Sequence, residues 1–285
     1  MRTKKPNRAS TSSTPGLARS RACGCAEATR PTGSRYTVFE PIRGATSLKR
    51  TPQTDLKLGG VLAFVAGATN AGGFLAVGQY TSHMTGIVSS VADRLVLGQL
   101  ALAGAGISAL LAFLFGAMCT AWLVNWGMRR SLHSAYGLPL MIEAVLLLLF
   151  GLFGATMSLM TTVFLPLTVV LLCFIMGLQN AVITKISRAV IRTTHVTGLV
   201  TDFGIELGKL LYVNRLPGHP AIRANRERLR VHGLLIGCFF LGGLSGALGF
   251  KYVGYVSTVP LAALLLLLVM RPALEDWRSL RAART

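Results

Sequence analysis

Few side chains in this sequence can do chemistry, and the most suggestive of them occur twice. Thr81-Ser82-His83-Met84-Thr85-Gly86 and Thr193-Thr194-His195-Val196-Thr197-Gly198 carry one Thr-x-His-x-Thr-Gly order about 110 residues apart. Each follows an apolar run holding a Gly-x-x-Asn pair, Gly67 with Asn70 and Gly177 with Asn180. An imidazole can gain or lose a proton near neutral pH. Threonine hydroxyls bond to backbone carbonyls or to a solute, and Gly86 and Gly198 permit a left-handed turn where a helix begins. The first amides of such a helix carry a partial positive charge that attracts an anion or a carbonyl oxygen. Asn70, Thr81, His83, Thr85 and Gly86, with Asn180, Thr193, His195, Thr197 and Gly198, are therefore the expected solute-contacting set. The structural alternatives are a plain helix-start role for the motifs and a cross-helix hydrogen bond for the amides.

Three acids extend this set. Glu143 is the one acid well inside a strongly apolar stretch. Such a residue points to proton coupling, unless it faces interfacial water or pairs with Arg129 or Arg130. Asp202 and Glu206 lie four apart, on one helix face, with Lys209 three residues further on. That spacing suits an internally paired polar face, or a cation held on a cavity wall. The first copy has Ser90 and Arg94 at the matching places, so a cation site here would be one-sided. Cys23 and Cys25 form a lone Cys-x-Cys without a second ligand pair, and Cys119, Cys173 and Cys238 stand isolated in apolar runs as small core residues. No Walker loop, H-E-x-x-H or nucleophile elbow is present. No metal or cofactor is expected, and no enzyme activity, because the acids, histidines and threonines form no catalytic set.

The elements that position these residues are membrane helices. Of the 285 residues 52% are apolar and 14% charged, which is too apolar for an ordinary soluble domain. Six runs are long enough to cross roughly 30 Å of hydrocarbon as helix: Leu58–Tyr80, Ala101–Met128, Leu138–Met160, Thr162–Ile183, His232–Phe250 and Tyr252–Met270. Strand alternation is lacking, so the expected fold is all-α. The net charge of +19 does not indicate a nucleic-acid partner. Twelve of the 29 Lys and Arg lie in residues 1–57 and most others flank apolar runs, the pattern of the positive-inside rule. Residues 1–57 form a basic tail expected to be disordered. It shows no cleavable secretory signal. Its Arg/Ser-rich character is shared with organelle transit peptides, though a cytoplasmic tail is the favoured reading.

Two weaker stretches decide the topology: Thr85–Leu100, which holds Asp93 and Arg94, and Thr197–Tyr212, which holds Asp202, Glu206 and Lys209. If neither crosses, 27 of the 29 Lys and Arg fall on the side of the tail. If both cross, Arg129 and Arg130 change sides, and Asp or Arg enters the bilayer at about 2.5–3.5 kcal/mol each. Six transmembrane helices with both termini cytoplasmic is the better arrangement. They form two three-helix repeats, about 58–160 and 162–270, each with an additional partial or re-entrant helix, followed by a basic cytoplasmic tail at 271–285. Three crossings per copy is an odd number, so the second copy is inverted relative to the first. The six glycines between Gly59 and Gly78 signal either close helix packing or a helix broken at Gly72-Gly73. Gly233, Gly237, Gly242 and Gly246 read as a packing face. Five arginines between Asn214 and Arg230 could touch anionic lipid, although the topology rule already accounts for them.

Ala63–Gly86 and Phe174–Gly198 resemble the YoaK-like family of bacterial membrane proteins of unknown function, from about Leu58 to Met270. The resemblance implies a bacterial inner-membrane protein of about six helices, and it brings no activity and no functional residues with it. In that family's pattern the first Thr-Gly is often followed by asparagine; Ile87 stands there in this chain. The residues lead to a secondary transporter or permease for a small polar or anionic solute, with membrane lipids as its surroundings. The alternative is a non-transporting membrane scaffold or lipid-interacting protein. Single cysteines placed at 83 and 195 are expected to label from opposite faces, 83 from outside and 195 from the cytoplasm. Labelling of both from one face would remove the inversion.

Overall fold

The computed structural model describes residues 52–132, 134–156, 161–187, 193–214 and 220–282. Most of the basic N-terminal stretch, with Cys23 and Cys25, lies outside the described residues. The described residues form eight α-helices and no strand: α1 (Pro52–Val77), α2 (Met84–Val96), α3 (Leu100–Arg129), α4 (Gly137–Thr156), α5 (Thr161–Ile186), α6 (Val196–Leu211), α7 (Arg226–Tyr252) and α8 (Thr258–Ala282). A 3-10 turn at Gly254–Ser257 joins the last two.

Local chemistry sets the ends of these helices. α1 runs unbroken through Gly72-Gly73, so the break that the glycines allowed is not made. The reason is packing: Gly72 lies against the Phe250 ring and Gly73 against Leu172, and a Cβ at either would crowd that neighbour. The helix stops at Gly78, whose φ of +71° suits glycine and whose N–H donates to the Phe74 carbonyl at 2.8 Å. Beyond it Tyr80 folds back to stack on Phe74, with ring centroids 4.5 Å apart. Asn225 caps α7 by accepting from the N–H groups of Glu227 and Arg228 at 3.0 and 3.1 Å.

Among the described residues four helices are by themselves long and apolar enough to cross a membrane: Gln53–Val77, Leu100–Arg129, Leu165–Ile186 and Arg226–Tyr252. Gly254–Met270 with Pro272–Arg278 makes a fifth if the 48° bend between them is part of one span, and Gly137–Leu152 is a shorter apolar helix. The six expected spans thus meet four clear ones, one bent one and one short one. Large apolar side chains point outward along them, among them Trp122, Phe115, Leu152, Phe240 and Leu267. Water would penalise such a surface and lipid does not, so the chain is an integral membrane protein.

The closest helix pairs are α1 with α7, α3 with α5, and α4 with α8. At the first two crossings backbone meets backbone. A Cβ on Gly67 would overlap the Phe239 carbonyl oxygen, and one on Gly242 the Phe64 carbonyl oxygen. Likewise a Cβ on Gly177 would overlap the Phe113 carbonyl oxygen, and one on Gly116 that of Phe174. Between α3 and α5 the Thr120 hydroxyl also donates to the Leu178 carbonyl at 2.9 Å. Around these crossings Leu58, Leu62, Leu140, Leu147, Leu172, Ile175, Leu235 and Leu265 form the main core. Ile87, Ala109, Ala112 and Cys173 form a smaller one beneath α2. Asp276 ties α8 to the start of α4, accepting from the backbone N–H and hydroxyl of Ser134 at 2.8 and 2.6 Å.

Gly67→Ala and Gly177→Ala are each expected to cost about 1–3 kcal/mol by forcing two backbones apart, read as a lower melting temperature of purified protein. Gly237→Ala, where an added Cβ meets nothing within 4 Å, is the matched control and should not destabilise.

Candidate functional site

The two Thr-x-His-x-Thr-Gly segments are built alike. In each, the first threonine is buried, the histidine and the second threonine are exposed, and the glycine is half-buried. His83 and His195 stand immediately before α2 and α6 with similar backbone angles, φ −93° and ψ 70° against φ −85° and ψ 58°. Their carbonyls accept from Ile87 and Leu199, both at 3.1 Å. Neither imidazole makes a capping hydrogen bond. The first amides of both helices therefore lack the side-chain acceptor that a Ser, Asn or Asp cap would supply.

Gly86 and Gly198 do a different job from the one the sequence suggested. Neither has a positive φ; both lie inside the first helical turn. A Cβ on Gly86 would overlap the His83 ring, and one on Gly198 the His195 ring. The missing side chain lets each imidazole lie over the start of its own helix. Steric room for a ring, rather than backbone freedom, explains the repeated glycine.

Thr81 and Thr193 are fully buried, and neither hydroxyl oxygen has a hydrogen-bond partner. Thr81 folds over α1, with its hydroxyl 4.0 Å from the position a Cβ on Gly73 would take. Asn70 holds this link in place by accepting from the Ser82 N–H at 3.1 Å. Asn180 is half-buried in the matching run, and its backbone carbonyl accepts from the Thr184 hydroxyl at 2.7 Å. One residue before each asparagine stands a polar side chain that sequence reasoning passed over. Thr69 is buried with its hydroxyl unpartnered; Gln179 is buried, donates to the Leu62 carbonyl at 3.2 Å, and leaves its own carbonyl oxygen without a partner. The signal was present, since a polar residue precedes the matched asparagine in both runs.

α1 and α5, which carry these residues, pack against each other, and Gln179 bridges them. The motif helices do not meet: α2 rests on α3, α6 on α7, and α2 and α6 make no contact with one another. Of the expected set, Asn70 and Thr81 are thus brought to the α1–α5 region. His83, Thr85, His195 and Thr197 lie outside it, exposed.

The three acids divide. Glu143 neither faces interfacial water nor pairs with Arg129 or Arg130: it is fully buried, and neither carboxyl oxygen has a partner. α4 packs against α3, α5 and α8, which closes the interior around it, while Arg130 lies over the Trp126 ring at 4.9 Å. Asp202 is exposed on α6. Glu206 is buried and satisfied, accepting from the Lys209 ammonium at 2.8 Å and from the Asn225 N–H at 2.7 Å. It links α6 to the cap of α7, which is the internally paired face rather than an open cation site. The Lys209 hydrogen bond, then the Asn225 N–H and the nearby Lys209 and Arg228 charges, hold this carboxyl below the usual carboxylate range against the opposing effect of burial.

The family model described as "Protein of unknown function (DUF1275)" matches residues 58–271. The chain belongs to that family, whose description carries no activity. No curated protein and no solved structure matches the chain.

Because its folded pKa is lowered, Glu206 stabilises the protein above the ordinary carboxylate range, near pH 4.3. That contribution disappears as pH falls through the lowered folded value. Glu206→Gln is expected to lower the melting temperature at neutral pH and to flatten its decline between about pH 5 and 3. An unchanged acid slope would contradict this role.

Proposed function

We propose that this DUF1275 protein is a secondary transporter or permease for a small polar or anionic solute. In this reading it is built from two inverted three-span repeats in the bacterial inner membrane, with both termini cytoplasmic. One observation carries it: Thr81 and Thr193 occupy the same place in the two motifs, fully buried, with unpartnered hydroxyls. A buried polar group left unsatisfied costs about 1–3 kcal/mol. Such a cost incurred twice, with Thr69 and Gln179 nearby in sequence to matched asparagines, suits groups whose partner comes and goes.

Several features support the two-repeat arrangement. The backbone contacts are reciprocal, since Gly67 with Phe239 answers Gly177 with Phe113, and Gly242 with Phe64 answers Gly116 with Phe174. Residues 61–70 and 171–180 follow the same order of buried and half-buried positions. α4, at 20 residues, measures about 30 Å, enough to cross the hydrocarbon. The uncapped starts of α2 and α6 favour a solute with negative charge or a carbonyl oxygen. Glu143, fully buried with neither carboxyl oxygen partnered by protein, is the candidate proton-coupling residue of this reading.

The test is a thermal-stability screen of purified full-length protein against small polar and anionic solutes over a range of pH. A ligand at 100 times its Kd adds about 2.7 kcal/mol. Thr81→Val with Thr193→Val is expected to raise the melting temperature of the ligand-free protein and to abolish the solute-dependent rise. His83→Ala with His195→Ala should also remove that rise. No rise with any solute favours the non-transporting scaffold.

A further inference from the structure

A cavity of about 340 Å³ opens beside α2, between the end of α1, α3 and the first turns of α5, and it contains no residue of either motif. Its walls are apolar at Leu165 and Pro166, and it holds one cation, Arg94. Arg94 is half-buried and its Nε donates to the Ser90 hydroxyl oxygen at 3.0 Å. Among the described residues no carboxylate bonds this guanidinium, and the adjacent Asp93 is exposed and forms no ion pair with it. The two terminal nitrogens are left to face a ligand, in the fork that fits a carboxylate or phosphate.

The polar neighbours are of the matching kind. Because Ser90 accepts from Arg94, its own O–H remains a donor. Gln79 adds an amide to the same cavity. Ser108 is not available, since its hydroxyl donates to the Gly104 and Ala105 carbonyls of its own helix. In the second half of the chain Asp202 and Glu206 stand where Ser90 and Arg94 stand in the first, and Glu206 is closed off by Lys209 and Asn225. The volume lies at the small end of ligand pockets, about 300–1,000 Å³.

We infer that this cavity is an anion site, in which Arg94, supported by Ser90 and Gln79, takes a carboxylate or phosphate group. The group belongs either to a free small molecule or to a lipid headgroup, and the inference goes beyond transport because binding is measured directly. The full chain is placed in phosphatidylcholine nanodiscs and its melting temperature followed against inorganic phosphate and against acetate. A parallel series raises the phosphatidylglycerol content of the discs. A saturable rise with phosphate or acetate identifies a free anion, and a rise confined to phosphatidylglycerol identifies a headgroup. In either case Arg94→Gln should weaken binding at least about tenfold, the size of one charge-assisted hydrogen bond. Ala105→Leu, which fills the cavity and keeps the guanidinium, should do the same and carries the test alone if Arg94→Gln does not fold. Arg129→Gln should change nothing. A response that survives Ala105→Leu, or no saturable response in any series, overturns the site. Solute shifts that depend on Thr81 and Thr193 but not on Arg94 would leave the transport reading standing without it.

Discussion

Helices in lipid gain little from hiding apolar surface, so their association depends on how closely their backbones can approach. In this chain that approach is set by glycine at two crossings, Gly67 and Gly242 between α1 and α7, and Gly116 and Gly177 between α3 and α5. Once those pairs are formed, the rest follows from geometry. α2 and α6 must lie on the outer members of the pairs, α3 and α7. The link carrying Thr81 is drawn over α1, the inner member of its pair. Larger side chains at Gly67 and Gly242 would separate that pair and loosen the link.

Close packing also explains which polar groups are satisfied. Where two backbones touch, a carbonyl can be reached from the neighbouring helix, as Thr120 reaches Leu178, and the longer Gln179 side chain reaches Leu62 from α5 to α1. Where the turn after α1 packs back onto that helix, Asn70 takes the Ser82 N–H, and the Thr81 hydroxyl is left without a partner. Glu143 is isolated by a third route, with apolar helices on every packed side.

The two halves diverge most clearly at the outer faces of α2 and α6. Asn225 begins α7 with its N–H on Glu206 and its side chain on the first turn of α7, while Asn214 and Ile222 close the preceding loop with two hydrogen bonds. Those hydrogen bonds, with that from Lys209, engage both carboxylate oxygens of Glu206 within the protein. In the first half the α2–α3 connection is short, turning at Gly98 with φ +71°, and among the described residues Arg94 has Ser90 as its one hydrogen-bond partner. A space is left beside α2, and the charge it holds is positive.

What the sequence by itself determined is the class and the outline: apolar runs of spanning length, charge confined to their flanks, and two motifs whose likeness marked the helix starts at His83 and His195. These are properties of periodicity, composition and order, which local physics enforces wherever the chain sits. It also marked Glu143 as unusual, but not its isolation, because pairing depends on which helices close around it. Gly72 and Gly73 showed the same limit, since whether a glycine pair breaks a helix depends on the neighbour it meets, here Phe250 and Leu172. Thr69 and Gln179 stood in plain view beside two asparagines, yet only the packing of the helices buried them. The repeated glycine of the motifs was visible as a letter, while its reason, an imidazole lying over the helix start, required coordinates. Burial, partnership and cavity are relations between residues far apart in the chain, and only the tertiary structure brings those residues within reach of each other.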